Sequence, residues 1–314
     1  MSSKCSSGSC GSKSETCGSA KKASVAQQET AIQSSLSKIK NKILVMSGKG
    51  GVGKSTVSTN LALGLANRGY KVGLMDVDLH GPDICRMLNL TENLRQTNSK
   101  GLVPPMAYSD NLKVISLEYM MENRDDPIIW RGPLKIQAIR QFISDIDWGV
   151  LDYLVIDSPP GTGDEPLTIS STIKDAQAVV VTTPQEVALA DVRKSINFCK
   201  HVKMKIVGVV ENMSGLVCPH CREVIDVFKS GGGERTAKEF GLKFLGRIPI
   251  DPQVVMGGDS GQPYLSSDAD SPAVKAFEEV VTNVEKAMAG KITLAPVDAG
   301  CGCGGVCNPD TCDC

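Results

Sequence analysis

Aromatic residues make up only 4% of the chain, too few to build the stacking platform that single-stranded nucleic acid requires. A dominant charge is missing too. The 34 lysines and arginines balance 35 acidic residues, for a formal net charge of −1. That balance offers no broad attraction for a phosphate backbone or an anionic membrane surface. No apolar run is long enough to span a bilayer, and the N-terminus lacks the apolar segment that a secretory signal carries. These absences set the expectation of a cytoplasmic protein with neither nucleic acid nor membrane as a partner. What is present is 314 residues, enough to bury a full core.

Cysteine is the residue in excess. Twelve cysteines in a cytosolic chain are expected to be reduced. Cys5, Cys10 and Cys17 lie at the start and Cys301, Cys303, Cys307, Cys312 and Cys314 at the end. Between them stand only Cys85, Cys199 and the pair Cys218/Cys221. Cys85 and Cys199 read as small buried hydrophobes. Residues 1–40, rich in Ser, Lys and Gln, read as a flexible tail ending in a short helix, "AIQSSLSKIK". Residues 291–314 turn to Gly, Cys, Asp and Pro and read as a second tail. Neither tail has a ligand spacing that names a site, and a metal-binding role there rests on composition.

Residues 41–290 carry the folded body. "KILVMS" is a short apolar run of the kind a strand buried on both faces shows. A glycine-rich turn follows, then "STVSTNLALGLANRG", a helix ended by Gly69. Further strands are expected at 71–78, 112–117, 152–157, 177–183, 205–212 and 243–249. Helices are expected at 133–146, 187–202, 232–241 and 271–289. Strands alternating with helices predict an α/β fold, a mostly parallel sheet flanked by helices.

The turn after the first strand is "GKGGVGKS", Gly48 to Ser55, which satisfies G-x-x-x-x-G-K-[ST] between a strand and a helix. Its glycines let successive N–H groups point at phosphate oxygens, and the helix N-terminus adds partial positive charge. The nucleotide-binding set is therefore Gly48, Lys49, Gly50, Gly51, Val52, Gly53, Lys54, Ser55 and Thr56. Lys54 is expected on the β- and γ-phosphates of ATP, and Ser55 on Mg2+. Lys49 is a second lysine that such a loop does not need. It is either a solvated surface charge or a cation supplied to the γ-phosphate of a neighbouring subunit, as an arginine finger is. "LMDVDLHGPD" puts Asp76 and Asp78 at the carboxyl end of a strand, facing the crevice where ligands bind. Asp78 is assigned to orient the attacking water. "LVIDSPPGTGD" gives Asp157 as the Walker B carboxylate in the Mg2+ shell. The Gly161–Gly163 turn is expected to move when the γ-phosphate leaves, and Asp164 to cap the next helix.

Together "KGGVGKST", "DVDLHGPD", "IIWRGP", "DYLVIDSPPGTGDE", "VVENMSGLVCPHC" and "FLGRIPIDP" resemble the Mrp/ApbC family of iron–sulfur cluster carrier ATPases. That family lies within the deviant Walker A group of P-loop NTPases that includes MinD, ParA and the nitrogenase iron protein. The resemblance covers about residues 41–290. It implies a homodimer, or a heterodimer with a paralogue, that hands clusters to apo iron–sulfur proteins. It also implies that Lys49 crosses to the other subunit's nucleotide, that Asp78 serves hydrolysis and that Asn212 binds adenine.

"CPHC" places Cys218 and Cys221 two residues apart, and three chemistries use that spacing. Thiol–disulfide exchange wants the pair at the start of a helix that lowers the thiol pKa. Structural zinc wants four ligands, yet the chain has no second CxxC and His220 supplies a third ligand at best. A [4Fe–4S] cluster wants four thiolates, which two copies of the pair provide across a two-fold axis. The resemblance points to this third reading. The alternatives are a MinD- or ParA-like positioning ATPase with structural zinc, and an ATPase that matures another metalloenzyme.

Overall fold

The computed structural model describes residues 26–78, 81–90, 102–103, 105–116, 118, 132–218, 220–221, 223–263 and 271–289. The first helix, α1, covers 26–36. It is followed by β1 (Ile39–Ser47), α2 (Lys54–Asn67), β2 (Val72–Asp76), α3 (Ile84–Met87), β3 (Met106–Ser109) and β4 (Leu112–Ser116). Next come α4 (Gly132–Ser144), β5 (Leu151–Asp157), α5 (Asp164–Thr172), β6 (Gln177–Thr182), α6 (Glu186–His201) and β7 (Lys205–Glu211). The order closes with β8 (Leu216–Val217), β9 (Val224–Ile225), α7 (Gly232–Glu239), β10 (Phe244–Arg247), α8 (Pro252–Asp259) and α9 (Pro272–Ala289).

Eight strands form one sheet in the order β10-β7-β6-β1-β5-β2-β4-β3. All neighbours are parallel except the edge strand β3, which runs antiparallel to β4. Strand alternation explains why the central strands are apolar throughout. Along β1, Leu44 and Met46 enter one core with α4 and α6, whereas Ile43 and Val45 enter the other with α2 and α9. Along β5, Leu154 and Ile156 face the first core and Tyr153 and Val155 the second. α2 is buried over most of its length because α9 packs across it on the side away from the sheet.

The body begins earlier than the tail boundary at residue 40 implied. Ile32 is fully buried and Leu36 nearly so, both packed into the first core, and Glu29 pairs with Arg140 of α4 at 2.6 Å. Burying each aliphatic side chain contributes about 1.5–3 kcal/mol, which anchors 26–36 as part of the domain. The tail cysteines and residues 128–131 ("IIWR") lie outside the described residues.

Candidate nucleotide and thiol site

Because the sheet is parallel, the turns after β1, β2, β5 and β7 all emerge at one edge. The chain leaves β1 toward β2 on one side, while β6 lies on the other, so a crevice opens at the carboxyl ends of β1 and β5. The 48–55 turn lies in it. Gly51 and Gly53 adopt φ of 78° and 76°, the left-handed region that glycine enters without steric cost. Gly48 is fixed by a close approach instead: a Cβ there would lie 2.2 Å from the backbone carbon of Asp191 in α6. Gly53 is the N-cap of α2, whose first turn has no acidic residue, so no side chain of the helix itself offsets its positive end at the crevice.

A cavity of about 240 Å3 fills this crevice, lined by Lys49, Gly50, Gly51, Gly53, Lys54, Ser55 and Thr56 of the loop and by Asp78. Gly48 and Val52 do not line it; Val52 is buried in the second core. Asp157 is fully buried beneath the loop. Its Oδ2 accepts from Lys54 Nζ and from Ser55 Oγ, each at 2.7 Å, and its Oδ1 accepts from Ser58 Oγ at 2.5 Å. Strand register sets Asp157 directly beside Asp76. Asp76 does not face the open crevice as expected. It is buried, accepting from Ser116 Oγ at 3.1 Å and from the Asp78 N–H at 3.0 Å. Burial first, and the neighbouring Asp157 charge second, hold the Asp76 carboxyl well above the usual carboxylate range. Asp78 is the carboxylate at the cavity wall, 3.7 Å from Lys54 Nζ.

Lys49 is exposed at the cavity mouth and makes no ion pair among the described residues; Ser47 Oγ donates to its carbonyl at 3.0 Å. Asn212 stands behind the loop instead of lining the cavity, its Nδ2 donating to Val52 O at 2.9 Å. The turn after β5 is exposed at Thr162 and Gly163, with the Gly161 N–H tied to Ser47 O at 2.8 Å. Asp164 is the first residue of α5, with Gly163 at the N-cap. It therefore meets the helix dipole from inside the first turn and does not cap it. Two residues missed in the sequence belong here. Ser58 lies one helical turn beyond Lys54, a spacing that could have pointed to it. Asp83 lines the cavity, and burial, then the Asp78 charge, raise its carboxyl pKa.

Cys218 and Cys221 stand at the turn of a small hairpin of β8 and β9, at the same sheet edge as the loop. Cys218 is half-buried and Cys221 exposed, both as free thiols. The Cys218 N–H donates to Glu223 O at 2.9 Å, closing the turn. The backbone N–H of Cys221, then that of His220, lower the Cys218 thiol below its usual value and so favour the thiolate that binds soft metals. The pair does not open a helix, the arrangement that disulfide exchange wants. Among the described residues no group of three or more His, Cys, Asp or Glu side chains is placed to hold a metal ion. Cys85 and Cys199 are fully buried, and burial pushes the Cys199 thiol up to about 12.

The profile of the ParA family, described as NUBPL iron-transfer P-loop NTPase, matches residues 38–285. An iron-sulfur cluster carrier protein of Methanocaldococcus jannaschii is 48% identical over 277 residues, 88% of this chain and 94% of that protein. A cytosolic Fe-S cluster assembly factor NUBP2 homolog of Nematostella vectensis is 48% identical over 256 residues, 80% of this chain and 95% of its own. Among solved structures, a nucleotide-binding protein of Archaeoglobus fulgidus, in complex with ADP and with cobalt found by PIXE, superposes with a TM-score of 0.68. Its identity is 36%, and the match covers 79% of this chain and 96% of that one. The septum site-determining protein MinD of Pyrococcus horikoshii, complexed with Mg-ADP, gives a TM-score of 0.58 at 23% identity, covering 80% and 98%. That last likeness speaks for the fold alone.

Proposed function

This chain belongs to the ParA family of iron-transfer P-loop NTPases, and from that premise we propose that it is an ATP-hydrolysing carrier of iron–sulfur clusters. In this reading two chains, identical or paralogous, assemble a [4Fe–4S] cluster between their Cys218/Cys221 hairpins and hand it to apo-proteins in the cytosol. The observation that carries it is the thiol hairpin itself. One chain brings two accessible thiols to the edge that holds the phosphate loop, and no third ligand group assembles around them among the described residues. Four thiolates are what the cluster takes, and a two-fold pair of hairpins supplies them.

The nucleotide chemistry follows from the buried carboxylate. Lys54 and Ser55 both rest on Asp157 Oδ2. When ATP enters, the Lys54 ammonium exchanges Asp157 for the β- and γ-phosphate oxygens and stays paired throughout. The Ser55 hydroxyl and the Asp157 carboxylate are then free to hold Mg2+, and hard oxygen donors of this kind suit that ion. When bound, Mg2+ offsets charge on the β- and γ-phosphates. Asp78 orients a water whose oxygen bonds to the γ-phosphorus as the bond to the ADP β-phosphate oxygen breaks, and the water's protons leave with inorganic phosphate. Lys49, unpaired among the described residues, reaches the nucleotide of the second copy.

The test is the metal content of the full chain purified and reconstituted without oxygen. Iron and sulfide should approach about one cluster per dimer. Cys218→Ser or Cys221→Ser should lose the cluster and keep ATP binding. A zinc held tightly by each chain, with no iron taken up, overturns the reading.

A further inference from the structure

Glu211 is the last residue of β7 and is fully buried. A carboxylate at the end of an apolar strand requires partners, and those it has are informative. Its Oε1 accepts from Ser214 Oγ at 2.6 Å and from the Gly231 N–H at 2.8 Å. Its Oε2 accepts from the Gly233 N–H, and Arg247 Nε stands 3.6 Å from Oε1. Ser214 is where the chain departs toward Cys218, and Gly231 is where it returns into α7. One carboxylate therefore pins both ends of the thiol hairpin.

The next residue touches the other site. Asn212 Nδ2 donates to Val52 O of the phosphate loop, and the contact is tight enough that a Cβ on Gly53 would lie 2.2 Å from that nitrogen. Between these two contacts Met213 adopts a φ of 55°, a left-handed conformation that costs a non-glycine residue energy and persists only where its surroundings impose it. This bend lets Asn212 face the nucleotide loop while Ser214 faces Glu211.

We propose that Glu211 is the positioning residue that carries the state of the phosphate loop, through Asn212 and Met213, to the Cys218/Cys221 hairpin. The role rests on the hairpin being the cargo site, but thiol reactivity tests it without any cluster. The full chain, reduced and metal-free, is pulsed with iodoacetamide with and without Mg2+ and a non-hydrolysable ATP analogue. Alkylation of the peptide holding Cys218 and Cys221 is read by mass spectrometry, and oligomeric state is followed by sedimentation in the same samples. The analogue should change alkylation of the native chain by about fivefold or more, the lower range of site-to-site coupling. Glu211→Gln keeps the shape but turns an amide NH2, which cannot accept, toward either the Gly231 or the Gly233 N–H. It should lose that response while still binding the analogue. Ser214→Ala removes one of the bonds and leaves the carboxylate in place, and should lose part of the response; it keeps the test open if Glu211→Gln does not fold. A response retained in full by the variants, one that tracks dimerisation alone, no response in the native chain, or loss of analogue binding with the response would each overturn the proposal. If the response is lost as expected yet the hairpin takes no iron, the cargo reading fails and the positioning role stands.

Discussion

Asp157→Asn keeps the side chain's size and removes its charge from beneath the phosphate loop. The Lys54 ammonium lies 2.7 Å from that carboxylate, with side-chain exposures of 6% and 1%. Taking one partner from a buried pair costs about 3–5 kcal/mol, because the remaining charge is left without compensation. Two groups soften the loss. Asp78 is 3.7 Å from the same ammonium, and the Asp76 carboxyl, held high partly by the Asp157 charge, ionises more readily once that charge is gone. The expected loss therefore falls at the lower end, about 3 kcal/mol. Adding Lys54→Met removes the stranded cation, and the double variant should lie within about 1 kcal/mol of the native chain. Urea unfolding without nucleotide measures both, with the slope checked for constancy. A single variant that loses less than about 1 kcal/mol, or a double variant no more stable than the single, would refute the reasoning that a charge stranded in low dielectric dominates.

Lys54→Ala should abolish ATP binding, whereas Lys49→Ala should spare binding and lower phosphate release, as measured by equilibrium binding and a phosphate assay; normal turnover in the Lys49 variant removes the argument for a cation acting across the dimer. Because thiolate is the reactive form, alkylation of Cys218 should rise with pH through a midpoint below the usual thiol value of 9.0. Cys199, with its thiol near 12 and no exposure, should stay unmodified over the same range in the native protein; peptide-level mass spectrometry reads both, and equal rates would contradict the hairpin geometry. Deleting residues 1–20 and 295–314 should leave ATP hydrolysis near normal while lowering iron bound per chain and slowing transfer to an apo-acceptor, and unchanged iron and transfer would leave the tail cysteines without a metal role.

The parts of the fold legible in the sequence are those with a local cause. "KILVMS" and "DYLVID" are continuous apolar runs because both sheet faces are covered, and the 48–55 loop announces itself through glycines that a phosphate loop requires. The parts that were not legible depend on distant partners. Residues 26–36 look polar and tail-like, and it is the distant partners of Ile32, Leu36 and Glu29 that tie them to α4 and the first core. Asp76 and Asp78 are alike in sequence, yet strand pairing buries the first beside Asp157 and leaves the second at the cavity. The β8–β9 hairpin is too short for a periodic pattern, and α8 buries none of its residues, so neither has an amphipathic signature. Glu211 did leave a trace: a single acid closing "KIVGVVE" is out of place in a buried strand unless something holds it.

Among the described residues β8 and β9 pair with each other and with no strand of the main sheet; Glu211 holds both ends of the segment, and a bridge from Leu216 to Ile250 ties it to the chain after β10. The segment between Ser214 and Gly231 is thus an attachment more than a part of the architecture. Its length and chemistry can change while the sheet, the phosphate loop and the long helix behind it keep their geometry. A scaffold with that property can diversify by exchanging the segment held there, leaving the nucleotide-binding body as it is.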